Sequence, residues 1–338
     1  MNQSFINRIK QDKYFAHLNN KPTSNGIYRS LFVSSDRWQY GDLYGISFLP
    51  KYKKKLEPFR TYTAERKMAS NKALYIIGDS FLADKNINHA FDKFDNVIFI
   101  DRRFPFGPIN LDRSKQNYLL LEFAERNLVN YNFERSKNSN SSAFIASGTE
   151  NTSSSNRLIS RLFNIIFNKD LSRNIELIIF DHKWTTPFKE TKAYLNYKLF
   201  NRTANEVAVS RNGSRLFLNS TIDTTSQLSS FRPVNRLKID TILNSLSNAK
   251  KYYTSIGFKN TYLSIIPNPV SIFDGKRMPY NHLLNKIEEN TALENIKIYD
   301  LFKSSTKNTF YISDSHWNPV GLDLWIKTSN QFFNAHID

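Results

Sequence analysis

The sequence predicts an α/β fold in which a mainly parallel sheet is wound between two layers of helices. Three observations carry the expectation. Residues 73–77, 96–100 and 118–123 are short, nearly continuous apolar runs, and their spacing of about 20 residues suits buried parallel strands joined by crossovers. A helical repeat of apolar residues at Leu237, Ile239, Ile242, Leu243 and Leu246 runs directly into another such stretch at 261–266, repeating the helix-strand alternation. The chain has 338 residues, 40% of them hydrophobic, with 27 Phe and 17 Tyr, enough for a large core in one α/β domain.

Along the chain, residues 1–70 mix polar and aromatic side chains around Gly41-Asp42-Leu43-Tyr44-Gly45. They read as an irregular leader packed on a domain spanning 71–338. The first strand stops at Gly78, and two more follow at 96–100 and 118–123. Residues 136–156 shift to Ser, Asn and Thr, a composition that cannot bury enough surface to fold alone and therefore reads as a flexible loop. Residues 157–167 are expected to be helical and 175–180 extended. Asn212-Gly213 lies between 206–210 and 215–218, and both residues tolerate positive φ, so a β-hairpin is expected there. Residues 157–230 thus read as an insertion containing that hairpin. A helix at 235–256 is capped by Gly257, the strand at 261–266 stops at Pro267-Asn268-Pro269, and 296–299 forms the last strand. The final helix begins near Pro319, a residue favoured at the first helical position, with Trp325, Phe332 and Phe333 available to the core.

The formal charge of +17 implies attraction to polyanions, whether nucleic acid, anionic lipid or an acidic polysaccharide. Basic residues are nevertheless spread along the chain, and the densest run, 51–55, accompanies no nucleic-acid module, so it reads as a solvated face. With no cysteine, disulfides, thiol catalysis and thiolate metal sites are excluded. Residues 1–12 lack the apolar core of a signal peptide, and no stretch approaches the roughly 18 apolar residues of a membrane span. The expectation is a cytoplasmic protein, or one whose export or anchor segment lies outside this chain.

Chemistry concentrates at the two ends of the domain. Ile76-Ile77-Gly78-Asp79-Ser80-Phe81 puts a serine just past the first strand, and Asp314-Ser315-His316-Trp317-Asn318 supplies an acid and an imidazole before the last helix. Beyond the carboxyl end of a parallel strand, loop amides and helix N-termini converge on a crevice. Ser80 there can attack an acyl carbon while N–H groups hold the oxyanion. Near pH 7 serine needs a base, for which His316 is the candidate, oriented by Asp314. Either motif alone also makes an ordinary turn; their joint placement at one sheet edge is what points to acyl transfer.

On these motifs the chain resembles the SGNH, or GDSL, hydrolase superfamily, over about 72–126 and 260–330. The resemblance implies a three-layer sandwich with catalytic Ser80, Asp314 and His316. Members usually show Asp-x-x-His; the shorter Asp314-Ser315-His316 followed by Trp317 looks more like the SGNH-like proteins of bacterial exopolysaccharide O-acetylation. The alginate-acetylating members carry Asp-x-His before the serine block, whereas here it follows, as in ordinary SGNH enzymes. The family's second oxyanion donor, a glycine after the second strand, corresponds to Gly107. Its Gly-x-Asn-Asp block is replaced by Glu122-Phe123-Ala124-Glu125-Arg126-Asn127, where Arg126 is the candidate substitute donor and Asn127 the next. A structural Glu125–Arg126 ion pair is the competing reading.

Asp181-His182 also follows a strand-like run and is the rival acid-base pair. His17, His89, His282 and His336 show no metal-ligand spacing, and no cofactor fingerprint is present. Arg102-Arg103 suit an anionic sugar or a solvated strand end, and Trp317 and Tyr44 suit sugar stacking or the core. The function expected is a carbohydrate O-acetyltransferase acting through an acyl-Ser80 intermediate. Its alternatives are an O-acetylesterase with the same triad and a non-catalytic glycan-binding or scaffold protein. For the transferase the resemblance implies an extracytoplasmic location, a polysaccharide partner that the basic surface suits if acidic, and a membrane-bound acyl-donor protein.

Overall fold

The computed structural model describes residues 36–63, 70–83, 85–104, 106–134 and 182–337. The loop expected at 136–156, the helix at 157–167, the strand at 175–180, His17 and Asp181 lie outside the described residues. In chain order, helix α1 (Asp42–Ser47) precedes strands β1 (Lys72–Gly78), β2 (Asn96–Asp101) and β3 (Gln116–Ala124) and the single turn α2 (Glu125–Leu128). Helix α3 (Thr186–Phe200) leads into the hairpin β4 (Val207–Val209) and β5 (Leu216–Leu218). Then come α4 (Arg236–Ser255), β6 (Asn260–Ile266), α5 (Pro269–Phe273), α6 (Leu283–Asn290), β7 (Glu294–Ile296), α7 (Tyr299–Ser304) and α8 (Pro319–His336).

The sheet runs β2-β1-β3-β6-β7 with every pair parallel. Strand side chains alternate between faces, and β1 shows both. Leu74 and Ile76 pack with Trp325 and Phe333 of α8, whereas Tyr75 and Ile77 pack with Ile242 and Leu246 of α4. The sheet is therefore covered on both sides, which is why its strands read as continuous rather than alternating apolar runs.

Two sequence expectations need correcting. The last strand ends at Ile296, because only Glu294–Ile296 pairs with β6; Tyr299 instead opens α7 and stacks on Tyr280. Leu237 does not join the buried stripe of α4, which is made by Ile242, Leu246, Ala249 and Tyr253. It sits in the first turn, 78% exposed. Asn235 caps that turn by accepting the Lys238 N–H at 2.9 Å.

The leader and the hairpin, read separately in the sequence, pack on each other. Leu43, Leu49 and Tyr52 form one buried cluster with Val207 and Leu216. The hairpin turns at Gly213, whose φ of +66° needs no side chain to be accommodated, and Leu216 N–H donates to Ile312 O at 2.8 Å. That bond ties the hairpin to the loop ahead of α8. Among the described residues no helix is long and apolar enough to cross a membrane.

Candidate active site

Sequence neighbours β2 and β3 lie on opposite sides of β1, so the strand order reverses there and a crevice opens beyond the carboxyl ends of β1 and β3. Ser80 stands two residues past β1 at this opening. Gly78 is required for close approach: a Cβ there would lie 2.6 Å from Glu122 Oε2 and 2.9 Å from the Phe99 ring. That contact lets Glu122 accept the Asp79 N–H at 2.8 Å. Asp79, fully buried, accepts from Phe81 N–H at 3.1 Å, Ala124 N–H at 3.0 Å and Asn127 Nδ2 at 2.7 Å. It clamps the turn after β1 to the end of β3, leaving the neighbouring Ser80 hydroxyl outside the clamp.

Opposite Ser80, His316 Nε2 lies 2.8 Å from Ser80 Oγ, and His316 Nδ1 lies 2.7 Å from Asp314 Oδ1. Sequence spacing alone makes this second contact: Asp314 Oδ1 also accepts the His316 N–H at 2.9 Å, so the loop folds its acid under its own imidazole. Asn318 then caps α8 by accepting the Gly321 N–H at 3.0 Å, fixing where the loop ends. Trp317 is fully buried, with Nε1 donating to Phe81 O at 3.0 Å and its ring 5.3 Å from that of Phe81. It cannot stack on a sugar; it pins the base-bearing loop to the serine-bearing turn. Tyr44 is equally buried, its hydroxyl donating to Glu190, and is also core rather than sugar platform.

One site residue escaped sequence reading. Asp42, the first residue of α1 in the leader, donates its N–H to Asp314 Oδ2 at 2.8 Å and accepts the Ser315 N–H at 2.8 Å as well as the Ser315 hydroxyl. Its own Oδ2 lies 3.8 Å from His316 Nδ1. Gly41 makes this possible, with φ of +102° and a Cβ position only 2.3 Å from Ser313 O, a pose open to glycine alone. Gly41-Asp42 repeats the Gly-Asp of Gly78-Asp79, but nothing in the pair itself places it beside Asp314.

Burial raises the Asp42 carboxyl above its ordinary range, and the neighbouring Asp314 charge raises it further. Burial also works to raise Asp314, but its hydrogen bond to His316, the imidazole's charge and the N–H donors of Asp42 and His316 outweigh that and hold it low. Asp314 is therefore the ionised partner of the imidazole, with Asp42 behind it. Among the described residues, Asp42, Asp314 and His316 are also the one set of three or more acid and imidazole groups with ligand atoms within 4.8 Å of one another. Their oxygens already accept N–H and O–H donors from the loop, which is the pattern of a hydrogen-bonded relay.

Arg126 enters the same space from α2. It is 8% exposed, its guanidinium carbon lies 5.3 Å from the Phe81 ring centroid, and Nη1 has no hydrogen-bond partner. It lines a small cavity with Ser315, Leu43, Leu216, Phe217 and Pro269. Burial pulls its pKa down, while the charges of Asp79, Asp42, Asp314 and Glu122 hold it up. Asn127, exposed at its outer edge, gives its amide to Asp79. The Glu125–Arg126 ion pair does not form: Glu125 accepts instead from Asn268 N–H and the Tyr280 hydroxyl, each at 2.9 Å.

Gly107 is exposed on the connection from β2 to β3. The residue that β2 delivers beside β1 is Arg102, whose N–H donates to Gly78 O at 2.8 Å and whose Nη2 donates to Ile77 O at 3.0 Å. The Arg102 guanidinium carbon lies 3.4 Å from the Phe123 ring centroid, and Arg103 pairs with Asp101 at 2.6 Å, so both are held structurally. His182 starts a helical turn, its carbonyl accepting the Thr185 N–H at 3.0 Å. His89 is exposed, His282 packs against Tyr280, and His336 Nδ1 bonds Phe332 O at 2.8 Å.

Glu125 has a consequence for stability. Burial pushes its carboxyl up to about 7, despite the Asn268 N–H, the Tyr280 hydroxyl and the Arg126 charge, and burial pushes Glu288 up to about 8. Both groups hold in the folded state a proton that the unfolded chain loses near its ordinary pKa of about 4.3. Their contribution is complete below that value and is lost as pH rises through 7 to 8, on the order of a few kcal/mol. The melting temperature should fall between pH 5 and 8, and fall less in Glu125→Gln; an identical slope in the variant would remove Glu125 as a cause.

Compared with protein-family models, with curated proteins and with solved structures, the chain finds no match.

Proposed function

We propose that the chain is a serine acyltransferase of the SGNH kind, moving an acetyl group from an ester donor to a carbohydrate hydroxyl through an acyl-Ser80 intermediate. The observation that carries this reading is the continuous line Ser80 Oγ, His316, Asp314, with contacts of 2.8 and 2.7 Å, at the crevice of a parallel sheet. In the first half-reaction Ser80 Oγ bonds to the acyl carbon while His316 Nε2 takes its proton. The resulting oxyanion is met by the Arg126 guanidinium and the Ser80 N–H. The donor's C–O bond breaks and the departing alkoxide takes the proton from His316. In the second half a sugar hydroxyl gives its proton to His316 as its oxygen attacks the acyl carbon, and Ser80 leaves, reprotonated. Asp314 stabilises the imidazolium in both halves.

Offered an activated acetyl ester with and without an oligosaccharide, the protein should transfer acetate to the sugar. Free acetate released at a rate indifferent to added sugar would make it an esterase. The transferase reading carries with it an extracytoplasmic location and a membrane-bound protein as donor, both implied by the resemblance.

Two substitutions probe the supporting groups. Arg126→Gln should lower kcat about 100- to 1,000-fold, the cost of one oxyanion donor, with KM little changed; a change confined to KM would make Arg126 a substrate-binding group instead. Asp42→Asn keeps the backbone N–H to Asp314 but replaces an acceptor of the Ser315 N–H and hydroxyl. The expected loss is about tenfold, typical of groups that orient a catalytic side chain without touching substrate. A pH-rate profile unchanged from the parent would reduce Asp42 to a packing role.

A further inference from the structure

The hairpin contributes nothing to the triad, yet it is tied to the loop that carries the base. Leu216 N–H donates to Ile312 O ahead of His316, and Leu216 and Leu218 of β5 wall a small cavity with Leu43, Pro269, Arg126 and Ser315. Two of these residues join the cavity to the candidate site. The Ser315 hydroxyl lies 3.5 Å from His316 Nδ1. The Arg126 guanidinium carbon lies 5.3 Å from the Phe81 ring centroid, and the centroid of the His316 ring lies 4.9 Å from that same point. Pro269 is set beside them through Glu125, the neighbour of Arg126, which accepts the Asn268 N–H at 2.9 Å.

Size and polarity narrow what this cavity can take. Its volume of about 10 Å³ is room for one water-sized group, and its leucines and proline offer that group dispersion contacts rather than hydrogen bonds. A methyl fits; a longer chain would have to push the walls apart. Arg126 supplies the polar end. It is 8% exposed and its Nη1 has no hydrogen-bond partner, and a buried donor left unsatisfied favours a ligand that brings an acceptor oxygen. The charges of Asp79 and Asp314 already act on this cation, so a neutral carbonyl suits the place better than a free anion. A carbonyl oxygen and a methyl on one carbon are the two ends of an acetyl group.

We infer that this cavity receives the alkyl end of the acyl group, its carbonyl oxygen toward Arg126, and that the hairpin thereby limits the acyl chain to two carbons; the assignment rests on the acyl-transfer reading. Activated esters of acetate, propionate and butyrate are to be turned over by the whole chain, by Leu218→Ala and by Thr221→Ser. Leu218 is half-buried, and Thr221, also a wall of the cavity, keeps as serine the hydroxyl that donates to Leu218 O at 2.7 Å while losing a methyl. In wild type kcat/KM should fall about tenfold or more with each methylene added to acetyl, and each variant should narrow the acetyl-to-butyryl ratio about tenfold. The same ratio in wild type and in every variant that keeps its melting transition would overturn the assignment. Binding of acetamide, butyramide and acetate, measured by NMR, needs no turnover. Acetamide should bind about tenfold tighter than butyramide, and both variants should lose that preference. Equal or absent binding of the two amides would overturn the size limit, and acetate held tighter than acetamide would make this an anion site instead. Absent ester turnover in wild type, with the acetamide preference intact, would sink the acyl-transfer reading and leave the cavity as a site for a two-carbon acyl group.

Discussion

Replacing Ser80 by Ala should reduce turnover of an activated acetyl ester to background, a loss of about a millionfold when measured against a fully assembled triad. The size follows from the geometry. Ser80 Oγ is the hydroxyl held 2.8 Å from His316 Nε2, and with it goes the covalent intermediate, leaving only whatever binding and oxyanion stabilisation contribute. Because Ser80 is partly exposed, the substitution orphans no buried group, and the melting temperature should stay within a degree or two of the parent's. His316→Ala added to Ser80→Ala should cost almost nothing more, since the two act as one unit. Undiminished turnover in Ser80→Ala would remove the serine from the mechanism.

Asp314→Asn should cost about 10,000-fold in kcat while leaving the fold intact. As a carboxylate, Asp314 accepts from His316 Nδ1 and so leaves Nε2 free to take the serine proton. An amide presents an N–H where that acceptor stood, favouring the ring tautomer with its proton on Nε2, which cannot act as base. Asp42 gives this protein an unusual second acid 3.8 Å from Nδ1. Once Asp314 is neutral, the charge that helps raise the Asp42 carboxyl is gone, so Asp42 ionises more readily and partly takes over. The Asp314→Asn/Asp42→Asn double variant should therefore be slower than Asp314→Asn alone by more than Asp42→Asn costs in the parent. Simple additivity of the two losses would mean that Asp42 does not act through the imidazole.

Much of this site could be read from the chain because its parts are local. Gly78-Asp79-Ser80 carries its own geometry: glycine for the approach of Glu122, aspartate for the clamp onto Ala124 and Asn127, and a serine hydroxyl left to meet His316. Asp314 and His316 likewise form their contact within one loop. The sheet was legible because strands covered on both faces, as β1 is by α4 and α8, show as unbroken apolar runs. Asp42 was not legible, since its role depends on packing across 272 positions to Asp314, and nothing in the leader's composition announces that it folds over the site. Trp317 and Leu237 mark the opposite limit. An indole beside a catalytic histidine looks the same in sequence whether it faces a sugar or plugs the loop onto Phe81. A leucine in phase with a helical stripe is no guide when, like Leu237, it stands in a first turn that the core does not cover.

If Ser80 carries the acyl group, the mass of its peptide after brief reaction with an activated acetyl ester and acid quench will show it. One added acetyl group is expected on the peptide containing Ser80, absent in Ser80→Ala and diminished when an accepting oligosaccharide is included before the quench. Turnover with the acetyl group found on a different residue, or with no acylated peptide under conditions that trap such intermediates, would contradict it.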